Sequence, residues 1–422
     1  MAERATATVL AAPSPALAHV VLERVFAFGC VFLLFGDYLT LSLARASSGT
    51  AGNWLLYTAV LQLPLVALAV MLGRLDRRAL TAPVLALLGV GLVIAGHVTL
   101  VWLSGGELSE YAADKSLNWF GVCLPALACG MAIGRSALLA RPRGFLIFAV
   151  PLWVMCAAAL AIDPALLTVA HYADLAVFLG VLVLPAHQAL AFALAKIGLC
   201  ALSLADAAGR ERRLRIVWFV ATAATFGLLL LTGARTYVVG AVLALALLNG
   251  FWSRNVARTL VVAAAGIALA LAFPSDLLSE RIDPWQVAQS LSFEERIDVW
   301  GVALESFVEH PLFGVGPGGF ADRMFWGGRV YPHNLVLEFL SELGLVGTAL
   351  FAVALGAVVR RVVRFVRSRR QATSTQWFAV GFFVFSVVGA MAVGDWMRNS
   401  FLFLAIGMCL TAVPIRGARS TS

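Results

Sequence analysis

Residues Leu80–Leu103 read LTAPVLALLGVGLVIAGHVTLVWL, without one Asp, Glu, Lys or Arg, directly after the basic pair Arg77-Arg78. A hydrocarbon core of ~30 Å needs roughly 20 apolar residues in a helix, so this stretch reads as a transmembrane span. The rest of the chain follows it. Of 422 residues, 61% are hydrophobic and 13% charged, where a soluble domain is about half apolar and about a quarter charged. The mean hydropathy is +0.91. That composition excludes an ordinary soluble domain, an intrinsically disordered chain, a collagen-like repeat and a disulfide-rich secreted scaffold.

Similar runs recur between charged or Pro/Gly breaks, and about twelve are expected: 21–43, 52–72, 80–103, 117–134, 144–162, 186–205, 215–232, 236–252, 257–273, 335–359, 376–393 and 397–414. Residues 163–185 are apolar enough for a re-entrant or interfacial segment. The fold class is therefore an all-α polytopic membrane protein. Its expected divisions are a tail over 1–20, helices 1–9 over 21–273, an external loop over 274–334, helices 10–12 over 335–414 and a tail over 415–422. Of the 31 basic residues, 21 fall on one face of this topology. The positive-inside rule makes that face, and both termini, cytoplasmic. The net charge of +8 is thus mostly a topology signal, and no nucleic-acid partner is expected. All six cysteines lie within predicted spans and read as small packing residues.

One connection stands apart. Residues 274–332 form a long external loop, and long loops in compact proteins are usually functional. Ser292-Phe-Glu-Glu295 has the capping-box pattern, opening a helix that stops near His310-Pro311. Ile297, Trp300, Leu304 and Val308 recur three and four residues apart, while Glu294, Glu295, Asp298, Glu305 and Glu309 are polar. This predicts an amphipathic helix on the membrane or bundle surface. Gly314, Gly316 and Gly319 formally satisfy GxGxxG, but they follow a helix and lack a βαβ frame, so they read as backbone turns.

Three external residues draw the chemistry. Arg235 lies in the short turn Thr232-Gly-Ala-Arg-Thr236, Arg296 in the first turn of the amphipathic helix, and His333 at the mouth of the tenth span. A guanidinium fork matches phosphate oxygens in a bidentate way, and a histidine is the commonest general base near neutral pH. Two arginines at a bilayer surface suit a lipid diphosphate. Plainer readings coexist with these: a single interfacial arginine snorkels to headgroups equally well, and a histidine at a helix start can simply cap it. Supporting candidates are Asn334, Lys196, Arg329, Asp395 and Arg398. Lys196 falls inside the sixth span, where a charge is either functional or reaches a carbonyl or carboxylate of the bundle. Asp395 and Arg398 share an external turn and could simply pair at the surface. Glu305 and Glu309 could share a cation, but no histidine or DxD accompanies them, and no metal site is expected.

The arrangement resembles the O-antigen ligase family of bacterial inner-membrane glycosyltransferases, relatives of the O-antigen polymerases. The resemblance rests on residues 232–236, 296–320 and 333–347. In the last, His333-Asn334 is followed after a nine-residue gap by Gly344 and then Gly347. The run Arg296-Ile-Asp-Val-Trp300 through His310-Pro-Leu-Phe-Gly-Val-Gly-Pro-Gly-Gly-Phe320 is similar to the family's large periplasmic loop.

What the resemblance implies is specific. The fold would be a GT-C-type bundle in the bacterial inner membrane with its active site facing the periplasm. The reaction would move an O-antigen chain from undecaprenyl diphosphate to lipid A–core, without metal, nucleotide or other cofactor. His333 matches the catalytic histidine, and Arg235 and Arg296 match the diphosphate-binding arginines. Alternatives stay open: an O-antigen polymerase using the same donor, and a protein O-oligosaccharyltransferase, expected less because the chain ends at Ser422 just after the last span. From another class comes a transporter of lipid-linked glycans, although no internal repeat relates the halves.

Overall fold

The computed structural model describes residues 15–36, 53–75, 81–136, 138–140, 142–162, 187–208, 211–249, 291–324, 330–368, 372–392, 395–396 and 399–413. The expected span 257–273, the segment 163–185, and Arg45, Arg329 and Arg398 lie outside the described residues.

The described residues are helical, with no strand among them. In chain order they form α1 (Pro15–Phe35), α2 (Asn53–Met71), α3 (Ala82–Leu103), α4 (Glu110–Asn118), α5 (Leu124–Gly134), α6 (Pro142–Ile162), α7 (His187–Ala207) and α8 (Arg212–Leu231). There follow α9 (Arg235–Asn249), α10 (Leu291–Glu309), α11 (Gly319–Asp322), α12 (Leu335–Ser368), α13 (Ser374–Ala392) and α14 (Ser400–Ala412). Among the described residues, eight helical stretches are long and apolar enough to cross a membrane, and three more are apolar but shorter. This is a membrane protein, and each of these helical stretches overlaps one of the expected apolar runs.

Two spans differ from expectation. The helix expected from residue 117 begins at Glu110, capped by Ser109, whose hydroxyl accepts from the Ala112 N–H at 3.3 Å. Its first seven residues include Glu110, Asp114, Lys115 and Ser116, so apolarity alone does not reveal them. A π-helical turn, Trp119–Cys123, joins α4 to α5 just before Pro125. Proline has no N–H to continue the normal ladder, and a π-turn absorbs the misfit. The second difference is α12, which runs on to Ser368 and is broken within by Gly344, at φ 62° and ψ −164°.

The break at Gly344 organises the end of the bundle that carries the candidate site. It frees backbone groups on both sides, and the loop after α10 takes them up. Val315 and Gly316 N–H donate to the Ser341 and Glu342 carbonyls, each at 2.9 Å. Leu345 and Val346 N–H donate to Pro311 and Leu312, at 2.8 and 3.0 Å. His97 of α3 binds the Phe313 carbonyl through Nε2 at 2.7 Å. Gly314 and Gly318 of this glycine-rich run therefore serve close backbone docking. A Cβ at Gly318, for example, would lie 2.8 Å from the Ala112 Cα.

A methyl group at Gly344 would stand 2.5 Å from Gly314 N and from the Leu312 carbonyl carbon, in a left-handed conformation. That positive-φ, extended-ψ backbone is essentially confined to glycine and costs an L-residue roughly 1–3 kcal/mol. Gly344→Ala is expected to lower the melting temperature of the detergent-purified protein and its yield from membranes. Gly356→Ala is the control on the same helix, with nothing within 4 Å of its Cβ, and should leave both unchanged.

The amphipathic helix is α10, ending at Glu309 as its sequence predicts, although it takes in Leu291, so Ser292 lies inside the first turn. Its protein-facing side is built from Val299, Ala303 and Ser306, at 5%, 1% and 0% exposure. Small residues three and four apart let the helix approach closely. Three members of the apolar stripe, Ile297, Leu304 and Val308, are instead exposed. Val299 and Ala303 pack with Phe320 in a small core beside the site. The tightest pairing elsewhere, α5 with α14, uses the same device through Gly130 and Gly407, where backbones touch.

Candidate functional site

The site begins at the four residues Tyr331-Pro-His-Asn334. Asn334 caps α12, its Oδ1 accepting from Val336 and Leu337 N–H at 3.0 and 3.2 Å. That is the usual use of Asn before a helix, and it fixes where the helix starts. Immediately before it, His333 has φ 52°, the only positive φ at a non-glycine among the described residues. Such a backbone persists only when its surroundings hold it. Here the Trp300 indole N–H of α10 donates to the Pro332 carbonyl at 2.8 Å. The Tyr331 ring packs 4.3 Å from the imidazole, centroid to centroid.

The imidazole is half-buried, and its Nδ1 is buried with no hydrogen-bond partner among the described residues. Burial first, and the nearby Arg296 guanidinium second, hold His333 below the ordinary histidine pKa of 6.5. Both act in the same direction, because a low-dielectric setting and a neighbouring positive charge each disfavour imidazolium. His333 is therefore neutral at pH 7 and has a lone pair to accept a proton.

Arg296 is thus brought to His333 across 37 residues of sequence. Arg235 reaches the same end of the bundle by another route. The turn Thr232–Ala234 is set by the Thr232 hydroxyl, which donates to the Leu229 carbonyl at 2.7 Å and accepts from Ala234 N–H at 3.3 Å. Arg235 opens α9 with its side chain exposed. One half-turn on, Tyr237 lies close enough to Tyr331 for their phenols to interact electrostatically. Tyr331 in turn packs at a tilt against His333, so α9, α10 and the start of α12 meet around the imidazole.

Lys196 lies behind that meeting point. It is fully buried on α7, with its ammonium 4.2 Å from the Phe401 ring centroid and 4.8 Å from that of Phe192. Phe192 packs edge-on against Tyr237 at 5.6 Å. Two aromatic faces stabilise a desolvated cation.

Asp395 requires a correction. It does not lie at the surface but is 1% exposed, accepting from the Tyr111 hydroxyl at 2.5 Å. It belongs to a buried ionic cluster with Lys115, Glu338 and Glu342 that sequence reasoning missed. The signal was present: two carboxylates one turn apart inside an expected span deserved the same question as Lys196. Glu309 forms an ion pair with Arg323, which explains this carboxylate without a bound cation.

Among the described residues the fold and site define a helical membrane protein with His333 and the Arg296 guanidinium together at one end of its bundle, while Arg235 opens α9 with its side chain exposed. Residues 219–352 match the family model described as O-antigen ligase. The match takes in Arg235, Arg296, His333 and both buried glutamates, and supports an O-antigen ligase or polymerase type of activity on lipid-linked glycans. No curated protein matches the chain.

Proposed function

We propose that the protein transfers O-antigen polysaccharide from undecaprenyl diphosphate to lipid A–core, as a metal-independent glycosyltransferase of the GT-C type. The reaction lies on the periplasmic face of the bacterial inner membrane, with both termini in the cytoplasm as the basic-residue asymmetry requires. What supports the reading most is His333: a neutral imidazole beside a guanidinium, within the stretch that matches the ligase family.

The chemistry follows from these groups. A sugar hydroxyl of the acceptor attacks the anomeric carbon of the donor glycan, and His333 takes the hydroxyl proton as the new C–O bond forms. The bond from the anomeric carbon to the diphosphate breaks, and undecaprenyl diphosphate leaves with the electron pair. Arg235 and Arg296 stabilise the charge that grows on it, an effect that commonly dominates catalysis. Direct displacement inverts the anomeric centre. The glycosyl–diphosphate bond supplies the free energy, so no nucleotide is consumed.

The test is incubation of purified protein with undecaprenyl diphosphate-linked O-antigen, with and without lipid A–core. A glycan ladder on lipid A–core, dependent on the acceptor, is expected. Longer lipid-linked glycan from donor alone would reassign the protein as a polymerase. Donor movement across vesicles with no glycosyl product would make it a transporter.

A further inference from the structure

Lys115 joins three chain segments that the sequence keeps far apart. Its Nζ lies 2.5 Å from Glu338 Oε1, 2.7 Å from Glu342 Oε1 and 4.0 Å from Asp395 Oδ1. The second oxygens of the two glutamates are also used. Glu338 Oε2 accepts from the Trp396 backbone N–H at 2.9 Å, and Glu342 Oε2 from the Trp396 indole N–H at 3.1 Å. All four ionisable groups are at most 1% exposed.

Stability alone does not explain such a cluster. Desolvating each ion is costly, and well-packed apolar or neutral replacements of a whole buried ionic cluster are often as stable or more so. What charges at these distances supply is directional fixation. The element that needs fixing is the half-helix Leu335–Leu343. Below, it is severed from the rest of α12 at Gly344, where the backbone leaves helical geometry. Above, it ends at the left-handed His333. Glu338 and Glu342 sit one turn apart on it, so their shared hold on Lys115 fixes both rotation about the axis and translation along it.

We propose that Lys115, Glu338, Glu342 and Asp395 form a clamp that sets the half-helix and thereby aims His333: they are positioning residues for transfer. This rests on the base role of His333. Displacement of a catalytic group by about 1 Å can cost on the order of 10² in rate, and the clamp guards against that.

The test removes all the charges together, as K115M/E338Q/E342Q/D395N, so that no buried ion is stranded while Trp396 and Tyr111 keep their acceptors. The variant should accumulate in membranes with a melting temperature close to that of the parent. Its kcat should fall about 10²-fold with little change in KM for the donor. The acid limb of its pH–rate profile should move as well, since the distance from His333 to Arg296 helps to set it. Parental kcat with an unmoved acid limb would reduce the cluster to packing and overturn the proposal. Should the quadruple variant fail to accumulate, E342Q, which leaves Lys115 paired with Glu338 and Asp395, is read in the same way. His333→Ala is assayed in parallel. If that variant stays active, the base assignment fails; if it is dead while the charge-free variant is fully active, the clamp alone fails.

Discussion

Replacing His333 by glycine is expected to abolish glycan transfer while making the protein more stable. The two effects come from different parts of the same residue. An L-residue in the left-handed region carries a strain of roughly 1–2 kcal/mol, which glycine does not, and His333 sits there at φ 52°. Its Nδ1 is also buried without a hydrogen-bond partner among the described residues, and a stranded buried polar atom costs about 1–3 kcal/mol. Glycine removes both penalties. It removes the base too, and general-base catalysis typically contributes about 10²–10⁴ in rate. His333→Ala separates the contributions, because it loses the imidazole but keeps the backbone strain. The glycine variant should melt higher than the alanine variant, and neither should restore an O-antigen ladder to the lipopolysaccharide of a ligase-deficient host. A restored ladder with either variant would remove His333 from the base role.

Much of this was open to a reading of residue order alone, and the exceptions share a cause. The helices around Leu80–Leu103 are legible because burial in lipid demands an uninterrupted apolar run, and such a run is a local property. The Gly344 break is legible only in part: a glycine and its spacing from His333 are visible, but the docking of Pro311–Gly316 onto the broken ladder depends on two segments meeting. Lys115 is the clearest failure. Read locally it is a charge in a polar external stretch. Its partners Glu338 and Glu342 lie 223 and 227 residues away, and only that compensation makes its burial tolerable. The burial of Asp395 was hidden for the same reason, since Tyr111 lies 284 residues away in sequence and Lys115 nearly as far. The apolar stripe of α10 was visible, whereas its small buried face, Val299, Ala303 and Ser306, becomes meaningful only once there is a neighbour to approach.

Arg296 is expected to do two things at once, and two substitutions pull them apart. As a fork of donors it binds and stabilises the leaving diphosphate, and losing one such preorganised contact typically costs about 10²–10³ in rate. As a positive charge it adds to burial in holding His333 below pKa 6.5. The base works only when unprotonated, so the acid limb of kcat/KM reports the imidazole in the free enzyme. In the parent that limb should lie below pH 6.5. Arg296→Gln removes the charge, and the imidazole pKa rises; the limb therefore moves to higher pH, and the rate falls even on the plateau above it. Arg296→Lys keeps a charge but loses the planar fork, so the plateau falls while the limb stays close to its parental position. The comparison needs only initial rates of transfer to lipid A–core across a pH series. If both variants keep the parental plateau, Arg296 merely anchors α10 at the headgroups, and the diphosphate is held elsewhere.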